Sequence, residues 1–124
     1  MPFDSFPFGR QAAAVIVAAT VSSTAFAHAH LAKSDPAAGA ALAAAPAAVT
    51  LDFTEPLEPA FSSIVVVDGE GKTVSDGRAR IDASMRKRMT VPLAALGTGA
   101  YMVKWVAVAT DGHRTQGAYG FSVK

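Results

Sequence analysis

Apolar and polar residues alternate in short segments from residue 49 onward, and clusters of Gly, Pro and Asp separate these segments. The clearest example is Val49–Thr54, in which three apolar residues alternate with threonine and aspartate. A period of two puts the apolar side chains on one face of a β-strand and the polar side chains on the other. Similar segments predict further strands at residues 61–68, 72–74, 78–82, 89–93, 100–109 and 119–123.

The segments between these strands carry turn residues and no sustained helical period. Residues 68–71 read Asp-Gly-Glu-Gly, which is typical of a hairpin turn, and residues 97–99 read Gly-Thr-Gly. Residues 34–48 are rich in alanine, but proline and glycine interrupt them, so we expect a turn or two of helix at most. About seven short strands without a crossover helix predict an all-β fold, a small Greek-key, immunoglobulin-like β-sandwich.

The first 27 residues have the pattern of a secretory signal peptide. Arg10 supplies a positive charge, residues 11–21 form a short apolar run, and residues 25–27 read Ala-Phe-Ala, an A-x-A cleavage pattern. The apolar run is too short for a permanent transmembrane helix, although an N-terminal anchor remains the alternative. We therefore expect export to the periplasm and a mature domain of residues 28–124. A second A-x-A pattern ends at Ala29, so the cut could also fall there.

Length and charge exclude several classes of protein. With 124 residues, the chain has room for one domain. Its 11 Lys and Arg residues against 10 Asp and Glu residues give no basic surface of the kind that nucleic-acid binding requires, so no nucleic-acid partner is expected. We interpret the basic clusters at residues 78–80 and 86–88 as solvated faces. The sequence has no cysteine, so packing has to supply the stability, with metal binding as a supplement.

The three histidines carry the most chemical information in the sequence. His28 and His30 follow the predicted cleavage point, and His113 lies two residues after Asp111, between the last two predicted strands. Cleavage directly before His28 would free its α-amine, which forms a two-nitrogen chelate with the imidazole of the same residue. Residues two apart on an extended backbone point to one side, so Asp111 and His113 can complete a square of three nitrogens and one oxygen. Cu(II) prefers such donors, and the sequence predicts one Cu(II) ion per chain.

Other interpretations of these residues stay open. The segment from Asp111 to His113 is also an ordinary turn sequence, in which Asp caps the backbone and Gly supplies a positive φ. The first three residues after the cut could instead bind Cu(II) locally, through the amine, two backbone amides and the imidazole of His30. His30 is otherwise a solvated residue or a partner that orients a ligand. Glu55, where a strand ends, is either an additional ligand or a solvated strand terminus.

The chain resembles the CopC family of periplasmic copper-binding proteins over the whole predicted mature segment. The resemblance rests on His-Ala-His-Leu at residues 28–31, Ser-Asp-Pro-Ala-Ala-Gly at residues 34–39 and Leu-Asp-Phe-Thr-Glu at residues 51–55. It rests above all on Leu-Gly-Thr-Gly-Ala-Tyr-Met-Val-Lys-Trp at residues 96–105, which leads into Asp-Gly-His at residues 111–113.

The resemblance implies a Greek-key β-sandwich with a Cu(II) site at one end and a role in copper tolerance or uptake, beside a membrane transporter of the CopD type. Carried over position by position, the implied ligands are the amine and imidazole of His28, together with Asp111 and His113. Glu55 lies at a place that some members have been proposed to use. Other members have a second, Cu(I) site in a methionine-rich loop, and this loop has no counterpart here.

A binding protein is therefore expected rather than an enzyme. It would sequester periplasmic Cu(II) or deliver it to a membrane copper transporter, without spanning the membrane itself after cleavage. An N-terminal histidine with a distant second one also resembles the histidine brace of copper monooxygenases, so a copper-dependent oxidase is one alternative. A structural sandwich without a metal is another.

Overall fold

A computed structural model describes residues 28–124, and the predicted signal peptide at residues 1–27 lies outside the described residues. The described part of the chain consists of eight β-strands joined by turns and loops. Their bounds are β1 Leu31–Asp35, β2 Ala41–Leu42, β3 Ala48–Phe53, β4 Ser63–Asp68, β5 Arg80–Ile81, β6 Arg88–Pro92, β7 Gly99–Val108 and β8 Arg114–Val123. The predicted all-β fold is confirmed, with eight strands instead of about seven.

The strands form two four-stranded sheets, with the orders β1-β3-β6-β5 and β2-β8-β7-β4. Neighbouring strands run antiparallel, except for β2 and β8, which are parallel. The longest pairing is the β7–β8 hairpin, which runs from Gly99 opposite Val123 to Val108 opposite Arg114. In residues 28–124 no helix is long and apolar enough to cross a lipid bilayer.

Alternate residues of the longer strands are buried between the two sheets. β3 buries Val49, Leu51 and Phe53 and leaves the residues between them partly exposed, as its alternation predicts. The other buried apolar side chains are Ala29, Leu57, Ile64, Val66, Met89, Val91, Tyr101, Val103, Ala107, Ala109, Phe121 and Val123. Burial of this set supplies the hydrophobic stabilisation that a domain without disulfides requires.

Trp105 and Gly117 lie opposite each other in the β7–β8 hairpin. A Cβ atom built at Gly117 would lie 2.5 Å from Cζ2 of Trp105, so the indole covers the glycine directly. The same ring meets Phe53 edge to face, with 5.1 Å between the ring centroids. Glycine at this position leaves room for the indole, and the indole in turn packs the end of β3 against β7 and β8.

Two of the expected segments differ in the structure. Residues 34–48, for which a turn or two of helix at most was expected, contain no helix and instead contain strand, because their first residues belong to β1 and Ala41–Leu42 forms β2. Both strands are defined by pairing with β3 or β8, which local composition does not reveal. Residues 72–74 form no strand of their own, and Thr73 makes only an isolated bridge to Val67.

The final strand is longer than the sequence predicts. β8 begins at Arg114 rather than at Tyr119, because β7 pairs with it along its whole length. Gly117 and the polar residues around it interrupt the apolar alternation in the first half of β8, so the pattern detects only the second half. The β7–β8 loop is correspondingly short, and it places residues 109–113 directly at the end of two paired strands.

Candidate metal centre

The β7–β8 loop holds Asp111 and His113 in a tight turn. The N–H of Ala109 donates to the carbonyl of His113 at 2.9 Å, which closes the loop at its base. The N–H of Gly112 donates to the carbonyl of Ala109 at 2.8 Å, and Gly112 has a φ of 91°, a conformation that favours glycine. The loop therefore fixes its two chemically active side chains at one end of the sandwich.

The Asp111 carboxylate contacts His113 through both of its oxygens. Oδ1 accepts a hydrogen bond of 3.0 Å from the backbone N–H of His113, and Oδ2 lies 3.0 Å from Nδ1 of the His113 ring. The backbone N–H and then the ring lower the pKa of Asp111 below its ordinary value. An ionised carboxylate has no hydrogen to donate, so its charge and the 3.0 Å contact between Oδ2 and Nδ1 orient the His113 ring.

His28 lies beside His113 although 84 residues separate them in the sequence. The two imidazoles meet edge to face, with 5.1 Å between ring centroids and an angle of 76° between ring planes. The His30 ring lies 6.0 Å from the His28 ring, measured between centroids. His28 and His30 are both exposed, so their nitrogens are accessible to an ion from solvent.

The backbone of residues 28–30 is hydrogen-bonded to strands of both sheets. The Thr54 hydroxyl, just after β3, donates to the His28 carbonyl at 3.2 Å and accepts from the His30 N–H at 3.0 Å. The Thr115 hydroxyl, on β8, donates to the Ala29 carbonyl at 2.6 Å. The Ala29 side chain is fully buried in the core. These contacts explain why His28 lies next to the β7–β8 loop.

The structure brings three of the residues singled out from the sequence, His28, Asp111 and His113, to one end of the sandwich, with His30 next to them. Glu55 is half-buried and follows Thr54, and no hydrogen bond or ion pair between it and these side chains is found in residues 28–124. No three His, Asp or Glu side chains in the same range are already grouped as a complete metal site. The ligand roles of all five residues therefore stay predictions.

Thr54 and Thr115 are the residues at this site that sequence reasoning missed. The alternation in β3 places Thr54 on the solvent side, and its hydroxyl indeed lies at an exposed position. Its function depends on backbone atoms of residues 28 and 30, which no side-chain motif encodes. In the sequence, Thr54 stands out only as part of Leu-Asp-Phe-Thr-Glu at residues 51–55, one of the segments on which the family resemblance rests.

The chemistry available at this end of the sandwich is nitrogen and oxygen ligation. The imidazoles of His28 and His113 are adjacent, and the lowered pKa of Asp111 favours the ionised form of its carboxylate. Imidazole and carboxylate donors suit divalent first-row metals, and among these ions Cu(II) binds such sites most tightly.

The chain is similar to known proteins along nearly its whole length. Residues 31–124 match the CopC domain. Protein YobA of Escherichia coli is 40% identical over 116 residues, which cover 93% of this chain and 94% of YobA. The copper transport protein CutJ of Bacillus subtilis is 38% identical over 101 residues, which cover 81% of this chain but 19% of CutJ.

The crystal structure of CopC from Methylosinus trichosporium superimposes with a TM-score of 0.74 at 36% sequence identity, covering 78% of this chain and 94% of that structure. The fold, the domain match and the relatives agree in assigning a copper-related protein. The chain belongs to the CopC family, whose members include copper resistance and copper transport proteins.

Proposed function

We propose that the mature protein binds one Cu(II) ion in the periplasm, through the amine and imidazole of His28, the carboxylate of Asp111 and the imidazole of His113. The observation that carries this proposal is the 5.1 Å contact between the His28 and His113 rings. The two residues are far apart in the sequence, and folding brings their rings together. An ordinary turn at residues 111–113 would not require a contact with His28.

The burial of Ala29 supports cleavage directly before His28. Ala29 is 0% exposed, and its carbonyl accepts the 2.6 Å hydrogen bond from Thr115. A cut after Ala29 would remove a core side chain and the His28 carbonyl that Thr54 binds. Removal of residues 1–27 keeps all of these contacts and frees the α-amine at the position where the ring of His28 meets His113.

The methionines of the described chain do not favour a Cu(I) site. Met89 is fully buried in the core, and Met85 and Met102 are exposed on separate elements, with Met85 before β6 and Met102 on β7. Cu(I) prefers thioether and thiolate ligands, whereas nitrogen and carboxylate donors suit Cu(II). The donor set at this end of the sandwich therefore supports Cu(II) as the bound ion.

Delivery to a membrane copper transporter of the CopD type is the cellular role we propose. CutJ, a copper transport protein, contains a segment like this chain that makes up only 19% of its length. A transport protein that carries such a domain within one polypeptide supports a role for the separate domain as a copper donor to a transporter. Sequestration of excess copper in the periplasm uses the same site and contributes to copper homeostasis.

Adding one alanine ahead of His28 in the mature protein tests the proposal. The added residue removes the amine–imidazole chelate. We expect Cu(II) affinity to fall by more than about a hundredfold, since loss of even an orienting partner costs about 10- to 100-fold. The same residue added after Lys124 is the matched control and should leave the affinity unchanged. Competition titration with a chelator measures both, and intact mass of the exported protein locates its N-terminus.

Equal affinities in the two extended proteins would contradict the ligand assignment. The alternative function, a copper-dependent oxidase, is tested by measuring the oxygen uptake of the copper-loaded protein in the presence of a reductant. Uptake well above that of free copper would favour the enzyme.

A further inference from the structure

Two threonine hydroxyls hold the first three residues of the described chain at three backbone positions. We propose that Thr54 and Thr115 are positioning residues that direct the Cu(II) ion to the space between His28 and His113 and prevent its capture by the N-terminal tripeptide alone. This inference rests on the proposed function and adds to it the residues that decide between two coordination modes.

Thr54 engages both backbone groups of His30. Its hydroxyl accepts from the His30 N–H at 3.0 Å, and its own N–H donates to the His30 carbonyl at 2.9 Å. The hydroxyl also donates to the His28 carbonyl at 3.2 Å. Thr54 thereby keeps residues 28 and 30 at fixed positions beside the end of β3.

Thr115 fixes the middle residue from the other sheet. Its hydroxyl lies 2.6 Å from the Ala29 carbonyl and belongs to β8, which is paired with β7, the strand that leads into the β7–β8 loop. The Ala29 side chain is fully buried, so this residue cannot turn outward without exposing a core position. The tripeptide is consequently fastened to β8 and to the end of β3 at once.

These contacts are incompatible with coordination by the tripeptide alone. Such coordination needs the backbone nitrogens of Ala29 and His30 as ligands and requires the chain to wrap around the ion. The nitrogen of His30 instead donates its hydrogen to Thr54, and the carbonyls on either side of that nitrogen are bound by Thr115 and Thr54. With the tripeptide held by these hydrogen bonds, an ion at the His28 imidazole meets His113 as its nearest additional imidazole.

Removing both hydroxyls tests the proposal directly. In the mature protein carrying Thr54→Val and Thr115→Val, we expect Cu(II) affinity to fall by about tenfold or more, because hydrogen bonds that hold ligands in place are lost. We also expect the visible absorption band of bound Cu(II) to move to shorter wavelength, because deprotonated amide nitrogens are stronger-field ligands. The limiting spectrum is that of a free His-Ala-His peptide with Cu(II). Thermal unfolding of the metal-free variant verifies that it is folded.

Thr50→Val is the matched control. Thr50 lies on β3 four residues before Thr54, and its hydroxyl is hydrogen-bonded to that of Thr90 at 3.2 Å, away from residues 28–30. This variant should keep both the affinity and the spectrum of the wild-type protein. Thr54→Ser retains the hydroxyl and should restore the wild-type spectrum when combined with native Thr115.

A second readout uses the metal-free protein. Hydrogen exchange at the His30 amide should be faster in Thr54→Val than in Thr50→Val, since only the first substitution removes the acceptor of that hydrogen. Unchanged exchange, affinity and spectrum in the double variant would overturn the positioning role while leaving copper binding at His113 intact. Wild-type protein that binds no Cu(II), or whose spectrum is unaffected by His113→Ala, would overturn the proposed function and this inference together.

Discussion

Asp111 illustrates how a single residue can both shape a loop and orient a neighbouring imidazole. One carboxylate oxygen holds the backbone of the turn and the other holds the His113 ring. Asp82 provides a natural comparison, because its Oδ1 accepts from the N–H of Ser84, also two residues ahead. The loop around Asp82 contains no histidine. Comparing substitutions at the two aspartates therefore separates the effect of changing the turn from the effect of removing a charge beside the His113 ring.

Asp111→Asn should weaken Cu(II) binding by at least about 10- to 100-fold, the usual cost of losing a group that orients a ligand. Asparagine keeps an acceptor oxygen for the turn but removes the negative charge that faces His113. Asp82→Asn should leave the affinity unchanged. Competition titrations of the two variants against one chelator give the comparison. Equal Cu(II) affinities of the Asp111→Asn and Asp82→Asn proteins would show that the Asp111 carboxylate takes no part in binding.

The sequence identifies His28, Asp111 and His113 as candidates because their chemical types are rare and their spacing is informative. It does not identify Thr54 or Thr115. Both act on backbone carbonyl and amide groups, and Thr115 and its partner Ala29 are 86 residues apart. Threonines on strands are common, so only the fold shows which hydroxyls meet the N-terminal segment.

At the scale of elements, periodicity predicts strands where one face is buried and the other is exposed to solvent. β3 and β7 satisfy this condition and were located to within a residue or two. β1 and the first half of β8 do not, because alanine, glycine and polar residues occupy positions that pairing alone makes into strand. Strand length here is set by the partner strand, and no local pattern contains that information.

The contact between β7 and β8 at Gly117 gives a test of packing. Gly117→Ala should lower the free energy of unfolding by about 1–3 kcal/mol, because the added methyl overlaps the Trp105 ring, which is also packed against Phe53. Gly97→Ala is the control, since a Cβ there meets nothing within 4 Å. Chemical denaturation of both variants measures the difference. A Gly117→Ala protein as stable as Gly97→Ala would show that the indole moves aside at little cost.

At the scale of the whole molecule, the metal ion would connect the N-terminus to the β7–β8 loop in a fold that no disulfide closes. Bound copper should consequently act on global stability as well as on the loop. At free Cu(II) about a hundredfold above Kd, the folded state gains about 2.7 kcal/mol. For a domain of this size that corresponds to a rise in Tm of roughly 10 °C or more.

Calorimetry or fluorescence melting of the mature protein, with and without Cu(II), measures this rise. His113→Ala should show little of it at the same free copper concentration. A Tm that does not change in the wild-type protein, or that rises equally in the variant, would contradict binding at this end of the sandwich.

The chain has a single tryptophan, and its place in the packing has a practical use. Trp105 contacts Phe53, the neighbour of Thr54, and covers Gly117, two residues beyond Thr115. An intrinsic fluorophore thus contacts residues that are close in sequence to both threonines that hold residues 28–30. Because Cu(II) quenches indole emission, the unlabelled protein should report its own loading and unloading in real time.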